Sequence, residues 1–220
     1  MEESPALDRY ILEQTGQDRP RVCFVPTASG DADSYAEKFH AAFSKLSCEP
    51  SHLTFFRRTE PDLESFVLAQ DVIYVGGGNT RSLLAVWRDW GLDTILHKAW
   101  QSGVVLAGVS AGAICWFQQG VTDSVGGELR ALDCLGFLPG SCCPHYDGEA
   151  DRRPTYHRLL LTGQISPGLA LDDSAAAHFE GTDLKQVVAS KPGAKGYLLS
   201  IEDREIREKE CRTEAIGSRQ

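Results

Sequence analysis

The chain is short of positive charge: 22 lysines and arginines stand against 31 aspartates and glutamates, giving a formal net charge of -9 and a pI near 5.1. A surface of that sign repels a polyphosphate backbone, and no basic cluster offsets it, so nucleic acid is not an expected partner. Long apolar runs are missing as well. Nowhere do about 18 consecutive apolar residues occur, and Met1 to Tyr10 carries Glu2, Glu3 and Asp8 where an export signal would have a basic segment followed by an apolar one. The expectation is a cytoplasmic protein with no membrane contact. Zinc-type spacing is absent too. The seven cysteines (Cys23, Cys48, Cys115, Cys134, Cys142, Cys143 and Cys211) are odd in number, with no C-x-x-C pair and no companion histidines at finger spacing. They read as reduced thiols acting as small hydrophobes, with a thiol role weighed only for Cys142 and Cys143 beside His145. There is no internal repeat, and no metal or other cofactor is called for.

What is present is enough apolar material, 42% of 220 residues, for one substantial core, so the reading is a single domain over 1–220 with its core at about 20–201 and a charged, frayed tail at 202–220. Arg21 to Pro26 reads as a buried strand, and Ser34 with Glu37 opens a helix whose apolar positions include Tyr35, Phe39 and Phe43. A strand at Ser51 to Phe56, a helix from Pro61 and a strand at Asp71 to Val75 continue the alternation. Thr80 caps the next helix, Leu92 to Trp100 forms another, and Val104 to Gly108 is an apolar strand covered on both faces. Repeated β-α units predict an α/β fold: a mostly parallel sheet flanked by helices in three layers. Short strand candidates at Leu169–Leu171, Ala175–Phe179, Gln186–Ala189 and Tyr197–Ile201 predict antiparallel edge strands.

The chemistry concentrates where strands end. Gly108-Val109-Ser110-Ala111-Gly112 fits G-x-S-x-G, in which a serine occupies a sharp strand-to-helix turn and small neighbours leave its hydroxyl exposed. The N–H of Ala111 then faces any negative charge developing beside Ser110. Gly76-Gly77-Gly78 also joins a strand to a helix, and the second oxyanion donor is expected from Gly78. A dinucleotide loop is set aside because G-x-G-x-x-G needs glycine where Arg81 stands. Serine needs a base. Among six histidines, His145, in a loop after Cys142-Cys143-Pro144, is the best placed, while His40 and His97 fall in predicted helices. For the acid that orients the base, Asp123, Glu128, Asp172 and Asp173 all remain open.

The ordered segments Tyr74-Val75-Gly76-Gly77-Gly78-Asn79-Thr80, Gly108-Val109-Ser110-Ala111-Gly112-Ala113 and Pro144-His145 resemble the peptidase E family of serine peptidases, which includes cyanophycinases, over roughly residues 20 to 200. The resemblance implies a fold like that of class I glutamine amidotransferases, with serine in place of their cysteine. It makes Ser110 the nucleophile, His145 the base, and Gly78 and Ala111 the oxyanion donors. It favours Asp123 as the acid, with Glu128 the alternative by its spacing from the serine. It also places substrate contacts at Asn79, Arg152 and Arg153, a guanidinium fork being suited to a carboxylate. The expected activity is cleavage of small peptide substrates through an acyl-enzyme, with the Asp-X dipeptide preference of the family's founding members, by a monomer or homodimer. Two other functions share parts of this pattern: an esterase of the α/β-hydrolase type, and a non-catalytic domain binding a small anion.

Overall fold

A computed structural model of the chain describes residues 5–57 and 60–217. Where composition argues for one domain, the chain divides into two compact units, Met1–Ala113 and Ile114–Gln220, and each is described by itself.

In the N-terminal unit four parallel strands lie in the order β2 (Glu49–His52), β1 (Arg21–Val25), β3 (Val72–Val75) and β4 (Val105–Gly108). β1 and β3 are four- or five-residue runs of β-branched and aromatic residues, almost wholly buried, as a strand covered on both faces requires. β4 is only half-buried, in contrast to the expectation of full cover. Helices α1 (Ala6–Glu13), α2 (Asp33–Phe43), α3 (Leu63–Leu68), α4 (Thr80–Trp90) and α5 (Leu92–Gln101) connect or flank these strands. Phe39 and Phe43 of α2 stack on each other at 4.2 Å and Phe39 on Phe24 of β1 at 4.6 Å; with Val22, Val72 and Tyr74 they form the core beneath that helix. Two caps differ from the sequence reading. α2 begins at Asp33 behind Ala32, which places Ser34 inside the helix rather than at its cap. In α4 the capping side chain is Asn79, which accepts the Ser82 N–H at 2.8 Å, while Thr80 is buried in the first turn.

The single turn α6 (Ala111–Ile114) ends the N-terminal unit and its last residue begins the C-terminal one, which is built on a six-stranded sheet. Its centre is parallel: β5 (Phe117–Thr122), β7 (Leu138–Cys143) and β8 (Gly168–Leu171). Antiparallel β6 (Arg130–Asp133) closes one edge, and β11 (Gly196–Glu202) with β12 (Glu205–Glu210) the other. A second sheet holds β9 (Ala175–Glu180), β10 (Asp183–Ala189) and β13 (Thr213–Ala215). The antiparallel edges match the expectation, but the frayed tail does not: β12 and β13 are paired strands, β12 on an edge where its charged side chains are mostly exposed and only Ile206 and Glu208 are partly buried. Residues 218–220 of that tail lie outside the described residues. α7 (Arg152–Leu161) covers the larger sheet with Tyr156, Leu159 and Leu160 against Val121, Cys143 and Leu199. Six of the seven cysteines are buried and Cys211 is half-buried, and all seven are thiols. Burial pushes the Cys23 and Cys143 thiols up to about 12 and those of Cys115 and Cys142 well above their ordinary value. A thiol role for Cys142 or Cys143 is thereby set aside, since only a thiolate is nucleophilic. Among the described residues no helix is long and apolar enough to cross a membrane.

Candidate active site

In the N-terminal unit β3 and β4 run side by side, with Val75 opposite Gly108, so the segments that follow them emerge at the same sheet edge. Ser110 sits at the corner after β4 with φ +54°. For a side chain with a Cβ, that left-handed conformation costs on the order of 1–3 kcal/mol and is held only where its surroundings dictate it. The dictating neighbours are two glycines. A Cβ on Gly108 would lie 2.2 Å from the Gly112 carbonyl oxygen, and one on Gly112 would lie 2.2 Å from the Val75 carbonyl oxygen. The turn closes only because neither has one. Gly77 packs against the serine: a Cβ there would stand 3.3 Å from Ser110 Cβ and 3.9 Å from its Oγ.

The amides around this corner are distributed in a definite way. Gly76 N–H donates to Val25 O, Gly77 N–H to the Tyr35 hydroxyl at 3.2 Å, and Asn79 N–H to Ala28 O at 2.7 Å. On the other segment Gly112 N–H donates to Val109 O and Ala113 N–H to Ser110 O. Gly78 and Ala111 are the residues between them, and among the described residues their N–H groups have no protein acceptor. These are the two donors the sequence singles out. Gly78 has φ +138°, and any Cβ would fall 2.3 Å from Ala28 O, so the position admits no other residue without moving backbone. Asn79, expected at the substrate, spends its side-chain oxygen on the α4 cap.

In the C-terminal unit β7 and β8 are parallel neighbours, with Cys143 opposite Ala170, and the residues just beyond them face one another in the same way. Tyr146 N–H donates to Leu171 O, and Asp173 N–H donates to the Asp147 carboxylate at 2.8 Å. His145 follows β7 with φ +56°, another left-handed non-glycine, and its Nδ1 is 2.6 Å from Asp173 Oδ1. An ionised carboxylate has no proton to give, so Nδ1–H donates and the neutral ring carries its lone pair on Nε2.

The carboxylate at His145 Nδ1 is Asp173, where the resemblance led to the expectation of Asp123 or Glu128. Nδ1 has room for one partner and Asp173 fills it. Asp123 lies exposed just after β5, and Glu128, 85% exposed at its side chain, pairs with Arg130 at 3.4 Å. Aspartates 172 and 173 could be seen in the sequence at the end of a strand; what was missing was that β8 is the neighbour of the strand that ends before His145.

The two arginines are also committed elsewhere. Arg152 is 4% exposed; its guanidinium meets the Glu149 carboxylate at 2.7 Å and the Val121 carbonyl at 3.0 Å, a buried cation neutralised on the spot. The Arg152 hydrogen bond also holds the Glu149 carboxyl below its ordinary value, with a contribution from His145. Arg153 ion-pairs with Glu208 and lies over the Tyr146 ring, 5.1 Å from its centroid. Burial pushes the Glu208 carboxyl up, but hydrogen bonds from Tyr146, Arg153 and His157 outweigh it and leave the group below its ordinary value.

A serine on a glycine-bounded left-handed corner, with two amides beside it, stands in the N-terminal unit, and a histidine oriented by a carboxylate stands in the C-terminal unit of an α/β protein. The chain belongs to peptidase family S51, whose model matches residues 1–187. A protein named uncharacterized peptidase YgaJ, from Bacillus subtilis, is 56% identical over 92% of this chain and 88% of its own. A peptidase E from Shewanella denitrificans is 25% identical over 92% of this chain and 88% of its own, and a probable alpha-aspartyl dipeptidase from Drosophila melanogaster is 32% identical over 60% and 55%. The crystal structure of a peptidase from an acI-B1 Actinobacterium superposes with a TM-score of 0.72 over 94% of this chain and 88% of that one, at 22% identity. That likeness shows the fold: three-layer α/β, mostly parallel strands with helices, and antiparallel strands besides.

Proposed function

We propose that this peptidase is of the serine type and hydrolyses short peptides, with Ser110 as nucleophile, His145 as base and Asp173 as the carboxylate that orients it. The observation that carries the reading is the pair of non-glycine residues held at φ +54° and +56°, Ser110 and His145, each at the carboxyl end of a parallel strand. In the reaction His145 Nε2 takes the Ser110 proton as the hydroxyl attacks the peptide carbonyl. The Gly78 and Ala111 amides receive the oxyanion, and the protonated ring then passes its proton to the leaving amine. Water, deprotonated by the same ring, releases the acid product from the acyl-enzyme. Asp173 keeps Nδ1 protonated throughout and favours the charged ring as it forms.

For substrate, the reading is a preference for Asp-X dipeptides, supported by the likeness to peptidase E and to a probable alpha-aspartyl dipeptidase. The test compares hydrolysis of Asp-X dipeptides, other dipeptides and longer peptides by the wild type and Ser110→Ala, together with labelling by a fluorophosphonate. Ser110→Ala is expected to lose activity by a factor on the order of a thousand or more, along with the label, while keeping its fold. A folded Ser110→Ala with undiminished activity refutes the mechanism, and equal turnover of Asp-X and other dipeptides refutes the specificity alone.

A further inference from the structure

In the C-terminal unit the residue that follows His145 is buried. Tyr146 is 3% exposed and belongs to the core that holds Tyr156, Leu160 and Leu199, with the centroid of the Tyr197 ring 5.5 Å from its own. A phenol taken out of water needs a hydrogen-bond partner, and this one donates to the Glu208 carboxylate of edge strand β12. We infer that Tyr146 and Glu208 are positioning residues for the base, holding His145 in the conformation that keeps its Nδ1–H on Asp173. Their part in catalysis rests on the base role proposed for His145.

A non-glycine residue stays at φ +56° only where its surroundings dictate it. Three contacts around His145 contribute. Its carbonyl accepts the Glu149 N–H at 3.2 Å, the Tyr146 N–H donates to Leu171 O at 3.0 Å, and the Tyr146 hydroxyl is anchored on Glu208. Leu171 stands two residues before Asp173, so the backbone that carries the base and the backbone that carries its carboxylate are tied at this point. The hydroxyl fixes the far end of the same tyrosine. With both ends held, the peptide between residues 145 and 146 cannot rotate without moving a ring packed in the core. Glu208 is equipped for that task. Its side chain is 18% exposed, and its carboxylate gathers the Tyr146 hydroxyl, the Arg153 guanidinium and, at 3.3 Å, His157 Nε2. An ionised carboxylate only accepts, so the phenol proton points at Glu208 and the phenol oxygen takes the His157 Nε2–H at 2.9 Å. The Arg153 guanidinium lies over the Tyr146 and Tyr197 rings, 5.1 and 5.7 Å from their centroids, and closes the cluster. Glu210 on the same strand shows the contrast: its side chain is 54% exposed and meets Lys195 at 2.7 Å as an ordinary surface pair does.

The test measures kcat and KM on the dipeptide panel for Glu208→Ala, Glu208→Gln, Tyr146→Phe and the double variant of Tyr146→Phe with Glu208→Ala, and takes Glu210→Gln as the control on β12. Beside it, ¹⁵N spectra of the histidine rings, recorded above the ordinary histidine range, read the tautomer of His145, and thermal melts verify that each variant folds. Glu208→Ala and Tyr146→Phe are each expected to lower kcat about tenfold with KM little changed, and to turn the Nδ1–H form of His145 into a mixture of tautomers. The double variant should lose about tenfold as well, where independent effects would multiply to roughly a hundredfold. Glu208→Gln, which still accepts the phenol, should keep most of the rate, and Glu210→Gln all of it. A wild-type kcat and ring spectrum in Glu208→Ala or Tyr146→Phe, multiplied losses in the double variant, or the same defect in Glu210→Gln overturns the inference. Failure of the serine reading shows separately, as undiminished activity in Ser110→Ala, and the His145 spectra decide the positioning in either case.

Discussion

A methyl group at Gly148 should disable the peptidase without unfolding it. A Cβ built there lies 2.2 Å from Asp173 Oδ2 and 3.0 Å from its Cγ, against an ordinary contact of about 3.5 Å or more. The carboxylate has to retreat by about 1 Å, a displacement large enough to spoil the length or the angle of its 2.6 Å bond from His145 Nδ1. Loss of a buried triad aspartate costs about 10⁴ in rate in the serine-protease template, and a 1 Å misplacement about 10². Asp173 is 51% exposed at its side chain, so water partly replaces it, and the expected loss in kcat/KM for Gly148→Ala is on the order of 10²- to 10³-fold. The cost to stability is small, because the atom that yields is the free end of a side chain on an exposed segment, and alanine removes some freedom from the unfolded chain. The assay is kcat/KM on the best dipeptide of the panel, set beside a thermal melt. Asp173→Asn should reproduce the defect, and Asp123→Asn should leave activity near that of the wild type. Full activity in Gly148→Ala, or an inactive Asp123→Asn beside an active Asp173→Asn, would refute the assignment of the acid.

Three further outcomes follow from the same geometry. Gly78→Ala, which drives a methyl into the Ala28 carbonyl at a left-handed position, is expected to cost about 2 kcal/mol or more in denaturant unfolding as well as activity, since here only backbone can give way. Tyr35→Phe removes the acceptor of the Gly77 N–H and loosens the loop that carries Gly78; kcat should fall about tenfold with KM little changed, and an unaltered kcat would show that the loop holds its shape without the phenol. Glu208, whose carboxyl is held below its ordinary value, contributes stability that is fully present above the ordinary carboxylate range and is lost as pH falls through the lowered value. Urea unfolding of Glu208→Gln should therefore show a lower stability at pH 7 and a shallower decline in acid than the wild type; parallel curves would refute it.

The parts of the fold legible in the sequence are those where one strand is one apolar run: Arg21–Val25, Val72–Val75 and Val105–Gly108 lie within a residue of where pattern alone puts them. β5 and β7 do not read that way. Phe117–Thr122 contains two glutamines and a glycine, and Leu138–Cys143 contains Pro139 and Gly140, which spell a turn; in the folded chain they sit where the β5–β7 register shifts, and the Gly140 amide donates to the Gln118 side chain instead of to the ladder. The serine corner was visible because its geometry is local and needs glycine at fixed offsets. The carboxylate at His145 Nδ1 was not, because a partner 28 residues from the histidine is chosen by which strands become neighbours, and sequence spacing carries no record of that. Arg152 and Arg153 begin α7, and the acceptors they meet, Glu149 three residues earlier and the Val121 carbonyl for the first and Glu208 of β12 for the second, are set by packing.

The seclusion of the thiols turns cysteine into a clock for opening. Cys23 and Cys48 lie in the N-terminal unit and Cys115, Cys134, Cys142 and Cys143 in the other, leaving Cys211 as the half-exposed one. A brief pulse of maleimide on the native enzyme should therefore tag one site. As urea is raised, the order in which the remaining six become modified, mapped peptide by peptide, reports whether the two halves come apart together or one before the other.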